Sequence, residues 1–423
     1  MNTTNLPQDF ICHLQKLIAS GNLELIEGLC NDMTNRQKYL AMHPYKIYFS
    51  ETENRWRTEL PDKTKKSGRR AIKKKNKEDI ENLIIDYYKN EYKSSLKFST
   101  LYMDWLLNYK SLEVSEASIE RMHSAYKKHY ENTKLADTEV TDITPIMLKE
   151  FFLKIIKDYN MNYKAYCNVA TITRQLMDYC VEKGYIEANP MEKVKIKRNV
   201  YRHSKKADAH TQVYMDDEIQ KLEHVILTDF QENPKIRTTG LAILLAQQTG
   251  LRVGELVALK FSDIKGSYLT VERTETSFST INADGTKSKP IYQIKDFPKT
   301  DDSNRDIPLT DKALKYIEMI QDANENMGFP NNEYLFINSK GNRTTRKGID
   351  RAIRTFCKMA DIDPRSSHKF RKTFISTLYD TDGISKDELR RIAGHSDLAV
   401  THSSYVFNRN PKETTLSALN KAL

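Results

Sequence analysis

The spacing of apolar positions changes along the chain, and the changes divide it into zones. From Phe10 to Leu29 apolar residues recur at helical spacing and predict one helix or two. Tyr45-Lys46-Ile47-Tyr48-Phe49 reads as a strand, Glu51-Thr52-Glu53-Asn54 as a turn and Arg55-Trp56-Arg57-Thr58 as the returning strand, which predicts a hairpin. Ala71-Ile72 offers a third strand. From Lys77 to Lys93 the helical period returns, with Ile80, Leu83, Ile84 and Tyr87 on one face.

The next zone is helical throughout. Helices are predicted over Phe98–Tyr109, Ser115–Tyr130, Thr144–Tyr159 and Asn162–Lys183, with Gly184 as the stop. Thr144 as cap and Pro145 at the first helical position mark the third start. The polar, basic stretch from Lys195 to His210 has no apolar period and reads as linker. Beyond it come helices over Met215–Thr228 and Ile236–Gln248, strands over Tyr268–Arg273, Ile291–Ile294 and Arg305–Leu309, and a helical remainder. The expected fold class is multidomain, mainly α with small β-sheets. The expected domains are residues 1–94, 95–198 and 211–423, with 199–210 as linker.

Composition narrows the picture modestly. A chain of 423 residues suits two or three domains. It is 39% hydrophobic and 29% charged with a net charge of +10, a balance that favours polyanionic partners. The five cysteines, Cys12, Cys30, Cys167, Cys180 and Cys357, are scattered without a Cys-x-x-Cys pair, which argues against a zinc ribbon or redox motif and suits a reducing cytosol. The longest apolar stretch, near Leu241–Ala246, is too short to span a bilayer, and Met1–Leu17 lacks the pattern of a signal peptide. The expected location is the cytoplasm.

The distribution of charge is more telling. From Lys63 to Lys77 there are nine basic residues and no acidic one, between the hairpin and an amphipathic helix. A small sheet with a basic face can enter a DNA groove, so Lys63, Lys65, Lys66, Arg69, Arg70, Lys73, Lys74 and Lys75 are expected DNA contacts. The alternative is a solvated charge run. Lysines and tyrosines interleave in the helical zone, as in Tyr163-Lys164-Ala165-Tyr166, which suits helices that straddle a phosphate backbone.

The last zone carries a spaced set of chemically active residues. Arg252 and Glu255 are three apart, after Thr249-Gly250 ends a helix and permits a sharp re-entry; Glu255 would orient the arginine. His368 and Arg371 are again three apart, with Ser366-Ser367 before them as a possible cap and the helix N-terminus adding a positive field. His395 stands in a Gly-His-Ser-Asp turn, and Tyr405 follows ten residues later, with Tyr379 as a competitor. Lys299 lies between strand-like pieces, where a hairpin-tip lysine could reach over a substrate; Lys287, Lys289 and Lys295 compete with it. No Walker loop or acidic cluster for catalytic magnesium is visible, so neither a cofactor nor a metal is expected.

In order, Arg252, Lys299, His368-x-x-Arg371, His395 and Tyr405 resemble the pattern of the tyrosine recombinase, or phage integrase, family. Thr-Gly-Leu-Arg-x-x-Glu-Leu at 249–256 and Gly-His-Ser-Asp at 394–397 are the most diagnostic words. The resemblance covers the last zone, extends loosely to the helical zone as a core-binding domain, and makes residues 1–94 look like the arm-type DNA-binding domain of lambda-like and conjugative-transposon integrases. Met1 to His43 matches nothing in that pattern.

The resemblance implies a mixed α/β catalytic domain in which Tyr405 attacks a DNA phosphodiester and forms a 3′-phosphotyrosyl link. Arg252, Arg371 and His395 would hold the phosphate oxygens, His368 would serve as base and Lys299 as acid. It further implies a tetramer on double-stranded DNA, integration and excision of a mobile element, and partnership with an excisionase or a host DNA-bending protein in a bacterial nucleoid. A type IB-like DNA-relaxing enzyme and a non-catalytic DNA-binding regulator remain the alternatives.

Overall fold

The structure is a computed structural model that describes residues 36–37, 39–62, 64–94, 96–203, 208–233, 238–296, 304–394, 407 and 420. The predicted helix over Phe10–Leu29 lies outside the described residues. The chain divides into two compact units, one made of residues 1–113 and 122–202, the other of 114–121 and 203–423.

In the first unit, strands β1 (Tyr48–Ser50), β2 (Arg55–Pro61) and β3 (Arg69–Lys74) form an antiparallel sheet in the order β1-β2-β3, followed by helix α1 (Lys77–Ser94). The hairpin and the third strand through Ala71-Ile72 both form. Register settles which residues share a face, because side chains alternate along a strand. Trp56, Thr58 and Leu60 stand opposite Lys74, Ile72 and Arg70. Trp56, Leu60 and Ile72 pack with Ile80 and Ile84 of α1, so this is the helix side. Arg57, Glu59 and Pro61 stand opposite Lys73, Ala71 and Arg69 and make up the other face.

The helical part of the first unit contains α2 (Phe98–Asp104), which continues into a π-helical stretch over Trp105–Lys110, then the part of α3 (Glu116–His129) from Met122 on, α4 (Pro145–Asp158) and α5 (Tyr163–Glu182). Local signals fix the ends. The Thr144 side chain accepts from the Met147 amide and the Asn162 side chain from the Ala165 amide, which satisfies first-turn donors that the helix itself leaves open. Many of the tyrosines of this zone are core. Tyr102 and Tyr126 stack at 3.7 Å between ring centroids, and Tyr130 donates from its buried hydroxyl to the Val169 carbonyl.

The second unit is built around α7 (Thr238–Thr249), preceded by α6 (Asp216–Glu232). Leu241 to Leu245 are buried all round, and α7 packs against α6, α9 (Asp311–Asn326), α10 (Arg346–Met359) and α11 (His368–Tyr379). The apolar run too short for a membrane is thus the central core helix. Among the described residues, no helix is long and apolar enough to cross a membrane.

Antiparallel strands β4 (Ile264–Lys265), β5 (Tyr268–Val271) and β8 (Arg305–Pro308) form one sheet; β6 (Thr274–Phe278) and β7 (Ile291–Lys295) form a separate hairpin. Neither β4 nor β6 was expected; the first is too short to show alternation. Two further helices, the short α8 (Val253–Leu256) and α12 (Lys386–Ala393), complete what the site needs. Of the cysteines, Cys180 and Cys357 are buried and Cys167 is half-buried, all three as free thiols; Cys12 and Cys30 lie outside the described residues.

Candidate active site

The site begins at a glycine. Gly250 follows α7 with φ +61°, and a Cβ there would come within 2.2 Å of the Phe374 ring on α11. Only glycine fits both the left-handed turn and the close approach. The turn delivers Arg252, which is the N-cap of α8 and not, as its spacing from Glu255 suggested, a residue within the helix.

Glu255 reaches back from the third helical position. It accepts from the Arg252 backbone amide at 2.9 Å and from Arg252 Nη1 at 2.7 Å. Its two oxygens also receive Arg305, whose Nη2 donates at 2.8 Å and Nη1 at 3.3 Å. The side chains of Glu255 and Arg305 are each 2% exposed, while that of Arg252 is 36% exposed. Burial would raise the Glu255 carboxyl. The charge and hydrogen bonds of Arg305, followed by the charges of Arg252 and Arg371, outweigh burial and bring it down to about 2. Glu255 is therefore ionised throughout the neutral range.

Three guanidiniums converge on the end of α12. Arg305 Nε donates to the Ile392 carbonyl at 2.8 Å, Arg371 Nη2 donates to the Ala393 carbonyl, and Arg252 Nη2 donates to the Gly394 carbonyl at 3.0 Å. A helix C-terminus leaves carbonyls without intrahelical partners and carries partial negative charge, so three cations are a strong cap for it. Gly394 ends the helix in the left-handed conformation, with φ 60°. Arg371 is buried and also donates from Nη1 to the Gly250 carbonyl at 2.8 Å. It therefore ties the turn before Arg252 to the turn before His395.

His368 opens α11. Of the Ser366-Ser367 pair offered as a cap, Ser367 occupies the N-cap position but has helical φ and ψ and makes no side-chain cap hydrogen bond. The His368 ring keeps an open surface, yet the surrounding protein and the cations Arg371, Lys372, Lys369 and Arg252 bring its pKa down to about 4. Four positive neighbours by themselves give the sign. The imidazole is neutral at pH 7 and able to accept a proton.

Thus Arg252, Glu255, His368 and Arg371 come together. His395, Tyr405, Lys299 and Lys63 lie outside the described residues. The turn of the β6–β7 hairpin falls at Asn282–Thr286. Phe407, two residues after Tyr405, is buried, and its amide donates to Ser376 Oγ of α11 at 3.1 Å. The competitor Tyr379 ends α11, half-buried, with its hydroxyl accepting from Lys386 Nζ.

Arg305 is the site residue missed from the sequence. Its one signal is the Arg-Asp-Ile-Pro-Leu word after Lys299, which says nothing of a carboxylate 50 residues upstream. Of the expected DNA contacts, Lys65, Lys66, Arg69, Arg70, Lys73, Lys74 and Lys75 are all exposed. Arg69 and Lys73 belong to the sheet face away from α1, Arg70 and Lys74 to the helix side at the sheet edge. On the face away from the helix, Lys73 and Arg57 meet Glu53 at 2.8 and 3.4 Å, and Arg69 meets Glu59 at 2.9 Å. No group of acidic, histidine or cysteine side chains able to hold a metal occurs among the described residues.

A buried carboxylate shared by two arginines, a third arginine linking two turns, and a neutral histidine beside them make a site with excess positive charge for a single anionic centre. Residues 212–411 match the model of the phage integrase family, so this part of the chain carries a phage integrase domain.

Among its relatives, it is 23% identical over 325 residues to a tyrosine recombinase XerC-like protein of Caldanaerobacter subterraneus subsp. tengcongensis, covering 74% of this chain and 79% of the relative. It is 25% identical over 277 residues to the ICEBs1 integrase of Bacillus subtilis (strain 168), covering 64% of this chain and 67% of the relative. Its fold is similar to the Tn1549 transposon integrase solved in complex with a circular intermediate DNA, with TM-score 0.56, 17% identity and coverage of 78% of this chain and 100% of that one. It is also similar to a lambda integrase tetramer bound to a Holliday junction, with TM-score 0.53, 17% identity and coverage of 86% and 96%.

Proposed function

We propose that this chain is a site-specific DNA recombinase that cuts and rejoins DNA through a 3′-phosphotyrosyl intermediate at Tyr405, integrating and excising a mobile element. The observation that carries the reading is the convergence of Arg252, Arg305 and Arg371 on the carbonyls of residues 392–394, with a single carboxylate, Glu255, among them. Arg252 and Arg371 would neutralise charge that grows on the non-bridging oxygens of the phosphodiester. The loss of one such fixed donor costs about 10²–10³ in rate. Arg305 stays behind them as a counter-charge that keeps Glu255 ionised and Arg252 aimed.

In this reading the neutral His368 takes the phenol proton as Tyr405 attacks phosphorus. Lys299 protonates the departing 5′ oxygen, and His395 hydrogen-bonds the phosphate. The ester formed retains the energy of the broken bond, so rejoining needs no nucleotide. Residues 1–94 would act as an arm-type DNA-binding domain, 95–198 as the core-binding domain and 211–423 as the catalytic domain, with 199–210 between them. The protein would assemble as a tetramer on two DNA sites in the bacterial nucleoid, with an excisionase or a DNA-bending host protein setting direction. ICEBs1 and Tn1549 integrases among the similar proteins support the mobile-element reading.

The test is a nicked suicide duplex built from the ends of the element that encodes the chain. Wild type should give a denaturation-resistant adduct that maps to Tyr405, and Tyr405→Phe should give none. An adduct in the Phe variant, or none in wild type, would overturn the assignment. Plasmid relaxation without joined products would favour the relaxing-enzyme alternative.

A further inference from the structure

Partly buried cations in the second unit usually face a carboxylate. Arg273 pairs with Asp263, Arg343 with Glu275 and Arg365 with Glu218. Lys369 and Lys372 break this pattern. They are three apart on α11 and so share a face; each is next in sequence to His368 or Arg371, rotated by about 100° around the helix from it. Both ammoniums donate to one neutral atom, Gln212 Oε1, at 2.6 and 3.0 Å. Gln212 ends the single helical turn Ala209–Gln212. Lys372 Nζ also stands 4.8 Å from the centre of the Phe407 ring. Neither lysine forms an ion pair among the described residues.

Two half-buried like charges converging on one amide oxygen repel each other. Such an arrangement is stable with an anion between them, and the positive cluster beside them raises the local potential further. The lowered pKa of each lysine, from burial first and then from Arg365 for Lys369 and from Lys369 for Lys372, agrees with charges that have no ion-pair partner among the described residues.

We infer that Lys369 and Lys372, spaced by Gln212, form a second anion subsite that takes a non-scissile backbone phosphate of duplex DNA beside the reacting one. This rests on the reading of the neighbouring site as DNA-cleaving. The lysines are binding and positioning groups here. By holding the adjoining phosphate they would fix the strand against sliding while Arg252 and Arg371 act on its neighbour.

The experiment uses the full chain and a fluorescent duplex of about 30 base pairs of arbitrary sequence, with Kd measured against sodium chloride. The paired Lys369→Gln and Lys372→Gln variant should lower the slope of log K against log salt by about 0.9, the value for one phosphate neutralised. Lys369→Arg with Lys372→Arg should restore it. Lys312→Gln, which removes an exposed lysine already paired with Glu223, should leave it unchanged.

Inorganic phosphate at constant ionic strength should raise the melting temperature of wild type by more than that of the paired Gln variant, which keeps the Arg252 and Arg371 site. In chloride alone that variant should melt no lower than wild type, because removing two unscreened like charges relieves repulsion. An unchanged salt slope, or a melting temperature several degrees lower, would overturn the proposal. A phosphate effect with no change in the DNA slope would assign the subsite to free phosphate and overturn it equally. Because binding is read without cleavage, a failure to form the Tyr405 adduct sinks the recombinase reading and leaves this result standing.

Discussion

Arginine meets carboxylate in both compact units, and the two meetings differ in how much water reaches them. On the sheet of the first unit, Arg69 and Glu59 have side chains 51% and 39% exposed. Behind Arg252, the side chains of Arg305 and Glu255 are 2% exposed each. Exposed pairs contribute about 0–1 kcal/mol and are weakened by salt. They can exchange a carboxylate for a DNA phosphate at little cost. A buried pair cannot, because removing one partner leaves a charge that water does not reach. The same residue types therefore make an exchangeable surface in one unit and a fixed frame in the other. Only the fixed frame can hold Arg252 in one place while chemistry occurs.

That contrast can be broken most forcefully at Glu255. Glu255→Gln removes the carboxylate common to Arg252 and Arg305 and should cost about 3–5 kcal/mol of stability in the second unit, measured by chemical denaturation. A loss as small as that of a surface pair would mean that the frame is not what burial makes it. Arg371→Ala should slow adduct formation on the suicide duplex by about 10²–10³ while leaving most DNA affinity intact. A variant that cleaves at the wild-type rate would remove Arg371 from the site.

Acid should separate the groups next. The folded pKa of His368 is depressed to about 4 from 6.5, so its contribution to stability is complete above 6.5 and is lost as pH falls towards 4. The folded pKa of Glu255 is depressed to about 2 from 4.5, so its contribution is complete above 4.5 and is lost as pH falls through about 2. Melting temperature against pH should show both losses in wild type, and Glu255→Gln should lack the lower one. The smallest effect belongs to the sheet. Glu53→Gln should change stability by less than about 1 kcal/mol and strengthen DNA binding by a few-fold at low salt, an advantage that vanishes as salt rises. A stability loss comparable to that of Glu255→Gln would erase the distinction between the two units.

Legibility from the sequence followed the range of the forces involved. Helix starts at Thr144 and Asn162 were readable because a cap is a contact between a side chain and an amide three residues away. Ser367 was misread for the same reason: its residue type permits a cap, but the helical φ and ψ of its own backbone exclude one. Arg252, His368 and Arg371 were legible because their words are local and their order is that of the family. Arg305 was not, because its importance comes from a carboxylate and a helix end that are distant in the chain. The lysine pair on α11 was equally silent. Its meaning depends on Gln212, more than 150 residues away, and on the lack of any ion-pair partner among the described residues.

By itself the sequence determined where helices begin, which strands carry charge, and which residue types are available for phosphoryl chemistry. These follow from covalent neighbours and from period. Tertiary structure alone decided which cations are neutralised, which are buried and which are left facing a substrate. Electrostatic strength depends on the distance between groups and on the water excluded from between them, and neither quantity is written along a chain.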